Sequence, residues 1–110
     1  MTDGQVEEAA RLFGILAEPT RLYLLRALMA GPSSVGDLVE RTGLKQGTAS
    51  KHLGILHSGR FLTRSRAGLQ VIYQISDPAV FSLCELMCER MHRDAEGQFQ
   101  RLGGESSAGR

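Results

Sequence analysis

The hydrophobic period of this chain switches at Ser58-Gly59 and returns to helical only after Ser76, and that switch restricts what it can fold into. Upstream, apolar residues recur every three or four positions, the period of a helix buried along one stripe. Downstream they alternate, the period of a strand. Just ahead of the change, Ser34-Val-Gly-Asp37 has capping-box spacing, with Asp standing in for the usual Glu, and opens a short helix to about Thr42. Gly43-Leu44 supplies a tight turn, and Lys45 to His57 is helical again, with Ala49, Leu53 and Leu56 on one side. After the change, Phe61 to Arg66 and Leu69 to Ile75 are β-prone runs separated by Ala67-Gly68, the spacing of a hairpin whose turn needs positive φ at glycine. The expected order is helix, glycine turn, helix over 34–57, then a hairpin wing over 61–75.

The flanks are helical. Gln5 to Ala17 carries Val6, Ala9, Ala10 and Phe13 along one stripe, and Pro19 to Ala30 carries Leu22, Leu25, Leu28 and Met29 before Gly31-Pro32 ends it. Asp77-Pro78 reads as an N-cap and first-turn proline for a last helix over 78–98. The fold class is therefore mainly α with a β-hairpin wing, a winged helix-turn-helix in one domain over 1–102. Residues 103–110 carry no apolar side chain larger than that of Ala108 and are expected to be a disordered tail. The longest apolar stretch, Leu22 to Ala30, is broken by Arg26, and the first residues are polar and acidic, so neither a membrane span nor a signal peptide is expected. The expected location is cytoplasmic, where two cysteines four positions apart stay reduced.

The net charge of +1, from 13 basic and 12 acidic residues, conceals a segregation. From Arg41 to Ser76 there are six basic residues (Arg41, Lys45, Lys51, Arg60, Arg64, Arg66) and no acidic one, while the rest of the chain has seven basic and twelve acidic. A folded basic block of this kind is the electrostatic footprint of a phosphate-binding surface.

Projected at about 100° per residue, the helix after the glycine turn sets Lys51 nearly opposite the Ala49, Leu53, Leu56 stripe, with Gly47, Gly54 and Ser58 beside it. Gln46 and Thr48 fall in its first turn, where a recognition helix meets base edges, and Gly47 permits close backbone approach. Gln46 can make two hydrogen bonds to adenine and Thr48 can touch a thymine methyl. Ser50 and Lys51 can bind phosphate or guanine. Arg64, Arg66 and Gln70 in the hairpin can reach the neighbouring backbone or minor groove. His52 flanks the buried stripe and reads as a packed or hydrogen-bonded residue rather than a metal ligand, and His57 reads as plain surface.

Three stretches, Leu16-Ala-Glu-Pro-Thr-Arg-Leu22, Leu44-Lys-Gln-Gly-Thr-Ala-Ser-Lys-His-Leu-Gly-Ile-Leu56 and Gly68-Leu-Gln-Val-Ile-Tyr-Gln-Ile-Ser-Asp77, resemble the ArsR/SmtB family of metal- and stress-responsive repressors. The resemblance spans about residues 8 to 95. It implies a homodimer that binds an inverted-repeat operator in double-stranded DNA and is released by an inducer, with the segment matching Gln46 to His52 entering the major groove. Lys45 departs from the serine usual at that helix start, which weakens the N-cap, and Gly47 replaces a more constrained residue. The family's zinc site on the last helix is not reproduced: Asp77 matches one ligand, but Ala79, Arg90 and Arg93 stand at the others. The cysteines that other members carry beside the third helix have no counterpart in Ser33 to Asp37, and Arg26 stands near the second-helix position where redox-sensing members have a cysteine.

On the last helix, Phe81, Cys84, Cys88, Met91 and Ala95 follow spacings of 3, 4, 3 and 4, the seam of a helix that meets a partner helix. With 5–17, this makes 78–98 the expected dimer-forming element. Cys84 and Cys88 lie on successive turns, and His92 follows at the same interval. No cofactor is required by this reading. Two alternatives stand for the cysteines: small packed residues in the dimer seam, or thiols that take a soft ion such as As(III) or Sb(III) or are oxidised. A winged-helix module that binds protein instead of DNA is the competing class. An enzyme is not expected, because no nucleophile is paired with a base and there is no glycine-rich phosphate loop.

Overall fold

The computed structural model describes residues 1–101, and side chains as far as Gly97. The expected tail at 103–110 lies outside the described residues. The chain divides into two compact units between Asp77 and Pro78. The first contains α1 (Asp3–Leu16), α2 (Pro19–Leu28), β1 (Ser33–Ser34), α3 (Val35–Thr42), α4 (Gln46–Ser58), β2 (Leu62–Ala67) and β3 (Gln70–Ile75). The second contains α5 (Pro78–Arg101), which begins on the proline at which the missing N–H has no helical partner to lose.

The core of the first unit is an aliphatic cluster in which Leu24, Leu25, Leu28, Leu38, Ala49, Leu53 and Leu56 are buried, joined by Phe61 just before β2 and by Leu62, Tyr73 and Ile75 from the sheet. Every helix of the α2 to α4 group contributes through one stripe, as the period predicts. In α2, however, the buried face is Leu24, Leu25 and Leu28, whereas Leu22, expected inside, is 47% exposed. The helix is rotated so that Leu24 points inward. It also ends at Leu28, two residues early, and the chain turns through Gly31 at φ 135°.

Local signals account for the helix ends. α1 starts two residues before the expected Gln5 because Thr2 and Gln5 close a full capping box: the Gln5 N–H donates to Thr2 Oγ1 at 3.1 Å and the Thr2 N–H donates to Gln5 Oε1 at 2.9 Å. At α3 only half of the expected box forms. The Asp37 N–H donates to Ser34 Oγ, but the Asp37 carboxylate accepts from the Ser33 hydroxyl at 2.8 Å. Gly43 ends α3 in the left-handed region, at φ 75°, its N–H donating to the Val39 carbonyl. Lys45 gives α4 no side-chain cap, as its residue type dictates.

The sheet has three strands where a two-stranded hairpin was expected. β3 is central, pairing antiparallel with β2 from Leu62↔Ile75 to Ala67↔Gln70 and with β1 at Ser33↔Tyr73 and Ser34↔Ile72. β1 is two residues long and stitches the start of α3 to the wing's root. The β2–β3 turn falls on Gly68-Leu69, one residue beyond the expected Ala67-Gly68, because Ala67 pairs with Gln70 as the last rung of the ladder; Gly68, at φ 64°, is its first central residue, which fits a type II′ hairpin. His57 is not plain surface: it is half-buried, and its ring meets Tyr73 edge to face with centroids 6.4 Å apart. Gly59 is buried, and a Cβ there would lie 2.7 Å from Ile15 Cδ1, so α1 rests against the end of α4 and a larger residue would require the Ile15 side chain to shift.

Candidate nucleic-acid interface

With Ala49, Leu53 and Leu56 buried, α4 has no choice about its other face. Gln46, Gly47, Ser50 and Lys51 are exposed, and Thr48 is half-buried. A Cβ at Gly47 would meet nothing within 4 Å, so the protein's own packing does not demand glycine there. Because Lys45 supplies no capping oxygen, the first N–H groups of α4 keep no side-chain acceptor, and the positive end of the helix dipole opens beside Gln46.

His52 holds α4 in this orientation. The Arg21 Nε–H donates to His52 Nδ1 at 3.1 Å, and Arg21 Nη1 donates to the Ile15 carbonyl at 2.9 Å, so one guanidinium ties the end of α1 and the middle of α4 to α2. The expected packing role of His52 is met. Its partner, 31 residues away in sequence, carries no local signal.

The wing supplies the other wall. Arg64 and Arg66 are two apart on β2, opposite Tyr73 and Val71, and so project from one face of the hairpin. Together with Ser50 of α4 and Val35 of α3 they line an open groove of about 470 Å³ between recognition helix and wing. Gln70 is exposed beside the turn. Two cations of the basic block are engaged elsewhere. Arg41 lies 3.5 Å from Asp37 and donates to the Ala27 carbonyl at 2.7 Å, which ties α3 to α2. Arg60, at φ 66°, closes the turn between α4 and β2, and its charge acts on Glu8 of α1, where, alongside the Arg11 hydrogen bond, it helps hold that carboxyl below its ordinary range. The field at the groove therefore comes from Lys45, Lys51, Arg64 and Arg66, none of which makes an ion pair among the described residues.

α5 presents a different surface. Phe81 and Cys84 are half-buried, and Cys88, Met91 and Ala95 are exposed, as are Leu86 and Met87. Both cysteines are free thiols. Partial burial, the neighbouring Cys88 and Glu85 push the Cys84 thiol above its ordinary pKa, disfavouring the thiolate that binds soft ions and attacks oxidants. His92 Nε2 lies 3.2 Å from Glu96, one turn further along. Among the described residues no group of three or more His, Cys, Asp and Glu converges to hold a metal ion, so His92 is not brought together with the two thiols. Among them also, no helix is long and apolar enough to cross a membrane.

Comparison with known proteins gives a consistent set. Residues 18–63 match the family model described as bacterial regulatory protein, arsR family. A probable mercury resistance operon repressor of Streptomyces lividans is 35% identical over 80 residues, covering 73% of this chain; the chain spans 64% of that relative's length, just under two thirds. The crystal structure of the AntR antimony-specific transcriptional repressor is 34% identical, with a TM-score of 0.76 over 86% of each chain. The solution structure of a homodimeric winged helix-turn-helix DNA-binding domain from Mycobacterium bovis is 28% identical, with a TM-score of 0.79 over 88% of this chain and 93% of that one.

Proposed function

From the premise that this chain belongs to the ArsR family of bacterial regulatory proteins, whose members are DNA-binding regulators and not enzymes, we propose that it is a homodimeric, sequence-specific repressor. One observation carries this reading: Ser50, on the uncovered face of α4, and Arg64 and Arg66 of the wing line the same groove, and neither these arginines nor Lys51 of α4 makes an ion pair among the described residues. In it α4 lies in the major groove of an inverted-repeat operator, with Gln46 and Thr48 at base edges, Gly47 allowing close approach and Ser50 and Lys51 at phosphate or guanine. Arg64, Arg66 and Gln70 act from the wing. The cell interior follows as the site of action. Duplex titration at two salt concentrations tests the reading. Lys51→Ala and Arg64→Ala should each weaken binding and lower the salt slope by about 1. Salt-independent binding unaffected by both would instead support a protein-binding module.

The dimer would form through α1 and α5, in one winged helix-turn-helix domain over 1–102. What supports it is the apolar surface they leave uncovered: Val6 and Phe13 on α1, Met87 and Met91 on α5, each more than half exposed.

Release by an inducer is the finer part of the proposal. Cys84 and Cys88 are the soft donors this chain offers to As(III), Sb(III) or an oxidant, and a third donor would have to come from the partner protomer. The relatives that match mercury resistance and antimony repressors support a soft ion. The raised Cys84 pKa favours the second reading, in which the cysteines are structural and no metal is sensed. Retention of inducer-dependent DNA release in the Cys84→Ser, Cys88→Ser double variant ends the sensor reading.

A further inference from the structure

Leu69 is 98% exposed, far beyond Leu22 at 47%, Phe13 at 58% or Leu86 at 61%. It is the second central residue of the wing's two-residue turn, the farthest point of the hairpin, where turn chemistry favours polar residues. None of the described residues covers it, and it follows Gly68 at φ 64°, a turn that holds the side chain outward. Arg66, opposite Val71, lies beside the tip on the face that lines the α4 groove, and Gln70, opposite Ala67, follows it on the other face. An isolated apolar side chain on a surface needs no explanation. One at the tip of a cationic hairpin has a specific chemical match, since apolar side chains enter the minor groove and press on base edges while arginines hold the rims. The reach is adequate: the strand from Leu62 to Ala67 is about 17 Å long, close to half of the roughly 34 Å helical repeat that separates a major groove from the same groove one turn on.

We propose that Leu69 is a minor-groove probe that makes this protein prefer A·T over G·C pairs at the operator flanks under each wing. The inference rests on the DNA-binding reading above. Its chemistry is selective because G·C alone places an amino donor, guanine N2, on the minor-groove floor. A leucine offers that donor no acceptor and collides with it, whereas A·T leaves the floor open. The narrow A·T groove also concentrates negative potential for Arg66.

The test uses the full chain and a duplex selected from random sequence by the wild-type protein, with the flanking pairs replaced by A·T, G·C or I·C. Inosine keeps the pairing of guanine but lacks the N2 amino group. The expected result is equal binding to A·T and I·C and about tenfold weaker binding to G·C. Leu69→Ala should reduce that discrimination to within about twofold, with circular dichroism and salt slope unchanged. Full discrimination in Leu69→Ala, or I·C behaving like G·C, overturns the probe while leaving the DNA-binding reading intact. Failure of the wild-type chain to select any duplex overturns both.

Discussion

α1 and α4 are helices of 14 and 13 residues in the same compact unit, and each carries an apolar stripe, but the unit treats them oppositely. Three residues of α4 are fully buried and its exposed face is polar and basic. α1 has no buried residue, and Val6 and Phe13 stand more than half exposed. A helix whose stripe is satisfied within its own chain is free to display chemistry on its other face. A helix whose stripe is not satisfied has its stability invested in a contact still to be made. Periodicity alone cannot separate the two, because both read as amphipathic helices.

Substitutions on the two helices can break or sharpen this contrast. The largest effect is expected at Leu53, where Leu53→Ala should lower unfolding free energy in urea by about 3 to 5 kcal/mol by leaving a cavity; a loss under about 1 kcal/mol would place Leu53 with the residues of α1. Next, Phe13→Arg should weaken self-association in sedimentation equilibrium about 100-fold, equivalent to about 3 kcal/mol, with helical content at high concentration unchanged. An unaltered association constant would remove α1 from the dimer. Gly47→Ala should raise thermal stability by about 0.5 to 1 kcal/mol, since a Cβ there meets open space, yet weaken duplex binding. A gain in stability with unchanged binding would mean that the backbone at Gly47 is not closely approached. Smallest, Lys45→Ser should add about 0.5 to 1 kcal/mol by giving α4 its missing cap, readable as a shift in denaturation midpoint.

The parts that sequence made readable share a physical property: they depend on neighbours within four positions. The α4 stripe, the Gly43 stop and the Gly68 turn are of this kind, and so is the direction of Lys51. The Thr2, Gln5 capping box is equally local, but it lies ahead of Val6, where the apolar stripe of α1 begins. β1 had no period to read, since Ser33 and Ser34 are a strand only because β3 pairs with them. The inward turn of Leu24 in place of Leu22 depends on what α3 and α4 present. In the candidate interface, helical projection found the outer residues of α4, but it could not show Thr48 half recessed or Arg41 drawn to Asp37 and the Ala27 carbonyl. Those are consequences of packing between elements far apart in sequence.

The burial pattern of β2 has a mechanical consequence. Only Leu62, at its root, is buried, and the five residues beyond it stand in solvent, so the hairpin is a lever arm clamped at one end. Tyr73, buried opposite Arg64, and the Ser34↔Ile72 pairing carry the clamp up β3 as far as Ser65, so about 7 Å of strand stands beyond it, and a tilt of about 25° there displaces the tip by about 3 Å, close to one base-pair step. The angular tolerance of the whole arm is therefore set by its clamp: Leu62, Ile75 and the His57 ring against Tyr73. A conservative change in that clamp would re-aim the tip along a duplex by a step, altering which pairs it meets without touching any of them.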